Sequence, residues 1–338
     1  MKNNLRTTRP KNSLGLTLIE LMVSMVLGLI VLAAVSAVYV SSKQTFRTND
    51  NLARLQESVR IAFDLISRDV RQTAFYGCAG QDVNFSNALT TPNALLWNFS
   101  VPVSGYEAST STAWNTTPDA AITAPLGGRD ILVIRSIDEG GGPVTAHASA
   151  SADLVVSEKS GISAGDVLLA SNCRSATVFQ ATSVATASGT DTISHITGSQ
   201  TPGNSTTDLS NTFINGELRK ISTKVYYVSN NASGLPSLFV LRSSDGTSQE
   251  LVEGIDGMQI SYGIDDNDDF AADRYVTAAD AESGSLWPKV VSIRITLTHI
   301  SAEDFVATAA QSNSLGTATD RRLRREVTTT IALRNRAG

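Results

Sequence analysis

The run from residue 16 to residue 40 constrains this chain more than any other stretch. It is apolar except for one charge, Glu20, and it holds no proline and a single glycine, Gly28. As a helix rising ~1.5 Å per residue it reaches about 37 Å, enough to cross a hydrocarbon core of about 30 Å. The leader before it, residues 1–15, carries Lys2, Arg6, Arg9 and Lys11, has no acid and ends in Gly15. A basic flank of this kind stays cytoplasmic, so the rest of the chain is expected across the membrane. A secretory signal peptide is the competing reading. That signal is cut after its apolar core at a small-x-small site, whereas here the small residue in polar surroundings, Gly15, precedes the core. A carboxylate at mid-bilayer costs roughly 2.5–3.5 kcal/mol on insertion scales. Glu20 therefore calls for a partner; an ordinary signal anchor with an incidental glutamate is the bland alternative.

The helix is expected to continue past the membrane. Residues 43–74 contain neither proline nor glycine, and Leu52, Leu55, Val59, Ala62, Phe63, Ile66, Val70 and Ala74 recur three and four apart, a stripe that packs on a domain core. Arg54, Glu57, Arg60, Asp64, Arg68, Asp69 and Arg71 read as its solvated face. Gly77 fits a C-terminal stop, which gives a helix over 16–76 with its membrane part at 16–40. The expected division is a leader at 1–15, the helix at 16–76 and a β-rich globular domain at 77–338.

Residues 79–128, rich in Ser, Thr, Asn, Ala and Pro, and residues 185–216, rich in Ser, Thr, Gly and Asn, read as long irregular excursions. Strand signals occupy 130–137, 153–158, 166–171, 176–184, 218–228, 237–242 and 258–262. The clearest are the last two. Val291, Ile293, Ile295 and Leu297 alternate with polar residues, as do Val327, Thr329, Ile331 and Leu333, the pattern of half-buried antiparallel strands. The fold class is α+β: one long N-terminal helix followed by a mostly antiparallel sheet region.

The net charge is −5, more negative without the basic leader. No basic stripe marks the globular part, so nucleic acid is not an expected partner. There are two cysteines, Cys78 and Cys173, and three histidines. The cysteines lack C-x-x-C spacing, which argues against a zinc site or thiol catalysis. An oxidising compartment would allow a disulfide between them, worth ~4–5 kcal/mol in the chain-entropy model for so long a loop; two free thiols are the alternative, and the disulfide is the expectation.

The stretch Gly15-Leu16-Thr17-Leu18-Ile19-Glu20 resembles the class III signal of type IV prepilins: a basic leader ending in Gly, a large apolar residue, and a Glu five residues into the mature chain. The resemblance implies cleavage by a prepilin peptidase after Gly15, N-methylation of Leu16, and an assembly role for Glu20, whose carboxylate would neutralise the N-terminal amine of a neighbouring subunit. Leu16 departs from the Phe most members carry there. Further stretches resemble the PilW family of type IV pilus minor pilins: Asp69-Val-Arg-Gln-Thr-Ala-Phe-Tyr-Gly-Cys78, the segment from Gly165 to Cys173, Gln249-Glu-Leu-Val-Glu-Gly254 with Tyr262-Gly-Ile-Asp265, and Ile331-Ala-Leu-Arg-Asn-Arg336. That implies a type IV pilin-like fold and a priming or tip complex that supports pilus assembly and twitching motility. It also implies other minor pilins, the major pilin and the prepilin peptidase as partners. The place implied is the inner membrane, with a single pass and the C-terminal domain in the periplasm, then the pilus tip. A tip adhesin that binds through the two excursions, or a minor pseudopilin of type II secretion, are the alternatives.

One stretch has metal-ligand spacing. Asp265, Asn267, Asp269 and Asp273 fall at positions 1, 3, 5 and 9 of an EF-hand-type calcium loop. Phe270 stands where the loop needs Gly and Val276 where it needs a bidentate Glu, so a solvated acidic turn is the stronger reading, with weak calcium binding as the alternative and no other cofactor. No Gly-rich phosphate loop, HExxH or GxSxG occurs, and no catalytic residues are assigned. His299 reads as packed. The basic cluster Arg321, Arg322, Arg324 and Arg325 reads as a solvated strand entry, or as a surface for an acidic partner.

Overall fold

The computed structural model describes residues 17–75, 83–110, 113–157, 160–198, 200–313 and 316–336. Its first element is helix α1 (Leu18–Arg71). The chain divides into two compact units, residues 1–50 and 51–338. In the first unit α1 is an apolar rod: Leu18 to Val40 are exposed along its whole surface.

In the second unit α1 buries Asn51, Leu55, Val59, Ala62, Phe63, Ile66, Asp69 and Val70, the face set by the three-and-four spacing. Thr73 ends the helix. Its N–H donates to Val70 O at 3.2 Å, its hydroxyl donates to Asp69 O at 3.1 Å, and its backbone bridges to Ser136. Ala74 then turns left-handed at φ 61°. The helix thus stops at Arg71, short of the expected 76, because strand hydrogen bonding captures Thr73 before Gly77 is reached.

Among the described residues thirteen strands follow before the chain changes sheet: β1 (Asn84–Asn87), β2 (Val103–Tyr106), β3 (Ala108–Thr110), β4 (Ala113–Trp114), β5 (Ile131–Ala146), β6 (Leu154–Ser157), β7 (Val167–Ser171), β8 (Ser175–Gln180), β9 (Ser183–Ala187), β10 (Thr190–Ser194), β11 (Glu217–Asn230), β12 (Pro236–Arg242) and β13 (Ser248–Glu253). Eleven of them form one sheet in the order β1-β8-β7-β11-β5-β6-β10-β9, with β12 and then β13 added beside β11 and β2 beside β5. β3 and β4 pair only with each other. The first sheet is antiparallel but for β1 against β8. The remainder is β14 (Ile255–Ile264), β15 (Arg274–Val276), the short helix α2 (Ala278–Ser283), β16 (Val290–Ile300), the small pair β17 (Ser312–Asn313) and β18 (Gly316–Thr317), and β19 (Arg324–Ala332). Here the sheet order is β15-β14-β16-β19, antiparallel throughout. The architecture is therefore α+β and pilin-like, a long N-terminal helix ahead of mostly antiparallel sheet.

The alternation in β16 and β19 places its apolar members on one face. Ile293, Ile295, Leu297, Ile331 and Leu333 share a core cluster with Val59, Ala62, Phe63, Ile66 and Val70 of α1. Each such side chain contributes about 1.5–3 kcal/mol on burial, so this seam carries much of the unit's stability.

The excursion at 185–216 is more ordered than its composition predicts. Its first part completes the hairpin β9–β10, closed by Ser188 and Gly189 at φ 53° and 80°, the two left-handed positions of a tight hairpin turn. The rest is tied down by Asn204. Its Oδ1 accepts the Gln180 N–H at 2.7 Å and its Nδ2 donates to Gln180 O at 2.8 Å, so one side chain stands in for a strand residue at the end of β8.

Candidate functional site

The N-terminal end of α1 carries the residues the sequence points to most strongly. Gly15 and Leu16 lie outside the described residues. Thr17 caps the helix: its Oγ1 accepts the Glu20 N–H at 3.2 Å, and its carbonyl accepts the Leu21 N–H at 3.1 Å. Thr17 and Glu20 thus stand in the T-x-x-E spacing of a capping box, which fixes where the helix starts. Ser24 Oγ closes the first turn by donating to Glu20 O at 2.7 Å. The Glu20 side chain is exposed, surrounded by Leu18 (76% exposed), Ile19, Leu21 and Met22. The most apolar window of the helix has a mean hydropathy of 2.7, and none of it is buried. So long an uncovered apolar surface needs lipid or other helices around it. A single carboxylate on that surface is a fixed point at which a cation from outside can dock.

Asp69, assigned to the solvated face of the helix, is instead buried. Its Oδ1 accepts from Lys224 Nζ at 2.9 Å and its Oδ2 from the Tyr226 hydroxyl at 2.5 Å, both on β11. The Tyr226 hydroxyl is held well above its usual pKa, by burial first and then by the Asp69 carboxylate. Asp69 therefore pins the C-terminal turn of α1 to the central strand of the first sheet. The sequence held a signal for it: Asp69 follows Ile66 by three and so falls on the apolar stripe.

The acidic loop brings its four predicted residues together but turns their oxygens on its own backbone. Asp265, itself buried, accepts the amides of Asn267, Asp268 and Asp269 on Oδ1 and of Phe270 on Oδ2, at 2.7–3.2 Å. These amides hold its carboxyl below the usual range against the opposing effect of desolvation. Asn267 Oδ1 accepts from Asp269 N, and Asp269 Oδ1 accepts from Ala271 N. Asp273 accepts from Asp266 N and Asn267 Nδ2. Phe270 takes the left-handed conformation at φ 66° where a calcium loop uses Gly. The loop is an amide-filled turn between β14 and β15, and no group of three or more His, Cys, Asp or Glu is poised around a metal among the described residues.

Cys173 is exposed in the turn between β7 and β8, and no described cysteine is a free thiol. Its expected partner, Cys78, lies outside the described residues. His299 is buried, and burial pushes it down to about 4. Within the basic cluster, Arg322 and Arg324 pair with Asp320, and Arg321 stacks on Phe305 at 4.3 Å.

An anchoring helix with a capped start and a lone carboxylate, ahead of a β domain, defines a membrane-anchored pilin-type protein. In agreement, residues 10–36 match the family model of the prokaryotic N-terminal methylation motif. Residues 225–335, from the middle of β11 to the end of the second sheet, match the family model of Type IV Pilus-assembly protein W. These matches, one at each end, cover part of the chain and support a minor pilin of the type IV pilus, similar over residues 225–335 to the PilW family. That family is one of structural pilus-assembly proteins. No curated protein matches the chain, and no solved structure does.

Proposed function

We propose that the chain is inserted in the inner membrane by residues 16–40 with its C-terminal domain in the periplasm. Prepilin peptidase then cleaves it after Gly15 and methylates it on the new amine of Leu16. It joins other minor pilins and the major pilin in a priming or tip complex that supports pilus assembly and twitching motility. The observation that carries this is the bare apolar surface of α1 around Glu20. Unpaired in lipid or in a filament interior, a carboxylate and an ammonium each carry a desolvation penalty of several kcal/mol, much of it recovered when they meet. Glu20 then fixes the register of the next subunit by accepting its N-terminal amine.

Mass analysis of the mature N-terminus tests the processing step. The expected first residue is Leu16, monomethylated; a start beyond residue 30 is the product of ordinary signal cleavage and overturns the reading. Gly15→Val should leave the leader attached, because a side chain at the scissile position obstructs the peptidase.

The same reading includes a Cys78–Cys173 disulfide formed in the periplasm. Phe75 packs on the cluster of Val167, Leu169 and Val178, and the Asn84 N–H donates to Arg174 O at 3.0 Å. The described residues on both sides of Cys78 thus lie against β7 and β8, whose turn carries Cys173.

A further inference from the structure

The last strand of the second sheet has an outer edge that the fold leaves open. Among the described residues β19 pairs with β16 alone, in an unbroken register from Ser292 opposite Ala332 to Ile300 opposite Arg324. The bonds flanking this ladder, Leu333 N–H to Val291 O and Ser301 N–H to Leu323 O, both 2.9 Å, set its phase. Odd-numbered residues of β19 direct both N–H and C=O at β16, and even-numbered residues turn theirs outward. At its start the edge is capped by the chain itself, where the Arg324 N–H donates to Gln311 Oε1 at 2.6 Å. Further along, among the described residues, nothing meets the outward N–H or C=O of Thr328, Thr330 or Ala332.

Soluble proteins blunt long edges with proline, a bulge, lysine or an inward charge. The segment Val327-Thr-Thr-Thr-Ile-Ala332 has none of these. Two other edges differ: β15 is three residues long, and β13 carries Glu250 and Glu253 with a register shift against β12. The open segment is bracketed by exposed arginines, Arg325 before it and Arg334 after it, neither of which forms an ion pair among the described residues. Arg294 on the adjoining strand is exposed beside Tyr275. A strand that fits here is β-branched at its centre and acidic at its ends.

We propose that the outer edge of β19, residues 328–332, is a strand-addition surface for an extended, acid-flanked segment of a different pilin subunit. The proposal rests on the pilus-subunit reading and names the surface that reading leaves open. Backbone pairing supplies the affinity and the flanking arginines select the partner.

Hydrogen exchange on the full chain in detergent, alone and co-purified with the other minor pilins, tests this. The amides of Thr328, Thr330 and Ala332 should exchange freely in the lone chain and slow by at least about a hundredfold in the complex, while those of Thr329 and Ile331 are slow in both. Thr330→Pro removes an outward donor and leaves the β16 ladder intact. It should reduce recovery in the complex about tenfold with Thr329 and Ile331 still protected, whereas Thr330→Val should co-purify normally. A complex that forms with Thr328 and Thr330 still exchanging freely overturns this inference and leaves the function standing. Failure of the unaltered chain to co-purify at all overturns the function itself. Concentration-dependent protection in the chain alone assigns the edge to a second copy and overturns the choice of partner.

Discussion

Replacing Asp69 by alanine should be among the most destabilising single changes outside the apolar core. The carboxylate holds two groups from β11: the Lys224 ammonium at 2.9 Å, on a side chain 12% exposed, and the Tyr226 hydroxyl at 2.5 Å on a buried ring. Truncation leaves a nearly buried cation and a buried donor without their acceptor. Breaking one side of such a pair costs about 3–5 kcal/mol, a large part of a typical total of 5–15 kcal/mol. Asp69→Asn keeps the shape and one acceptor and should cost less, roughly 1.5–3 kcal/mol. Lys224→Met in the Asp69→Ala background removes the stranded charge and should restore part of the loss. Urea unfolding of a chain beginning at Asn51 measures all three. A loss below about 1 kcal/mol for Asp69→Ala is the value of a solvent-screened surface pair and would refute the claim that this contact pins the helix to the sheet.

The dependence of stability on pH should also carry two buried groups that oppose one another between pH 4 and 7. Burial pushes the Asp130 carboxyl up to about 7, against the amides of Ala108 and Ile260 that it accepts. Its folded pKa lies above the unfolded one, so the domain gains stability as pH falls through about 7. At about 1.4 kcal/mol per unit, the carboxylate costs up to roughly 4 kcal/mol at pH 8. His299, pushed down to about 4 by burial, has the opposite effect: stability is lost as pH falls from 6.5 towards 4. Asp130→Asn should leave the His299 loss unopposed, so that in a pH series of thermal melts stability falls more steeply between pH 6.5 and 4 than in the unaltered chain; an unchanged slope there would count against the assignment. For the cysteines, a non-reduced digest of periplasmic protein should yield a peptide linking Cys78 to Cys173; alkylation of both thiols in fresh, unreduced protein would contradict the disulfide.

The sequence was most legible where one physical pattern acts alone. The apolar run and its single Glu20 specify an exposed helix whatever follows, and the alternation in β16 and β19 puts Ile293, Ile295 and Ile331 into the core. It was least legible where side chains work through contacts distant in sequence. Asp69 looks like any helix-surface acid until Lys224 and Tyr226 are beside it. The hairpin β9–β10 is built largely of Ser, Ala and Thr, too small to give an alternating signal. The stop at Arg71 depends on Ser136, far along the chain. In the acidic loop spacing alone leaves two readings open. Asp265, Asn267, Asp269 and Asp273 stand at ligand intervals, and the contacts that only the structure adds are the amides of the turn, which those oxygens accept.

The central claim, that Glu20 joins this chain to its neighbours in a pilus, is tested most directly by Glu20→Val in the full-length protein, with recovery in sheared pili and in pull-downs of the other minor pilins as the readout. Removing the carboxylate takes a costly group out of the span, so membrane insertion should persist or improve, and cleavage after Gly15 should continue. Recovery with the other pilins should be lost. Glu20→Val protein that is cleaved, inserted and recovered with its partners at the level of the unaltered chain would contradict the account and leave Glu20 a helix-capping residue alone.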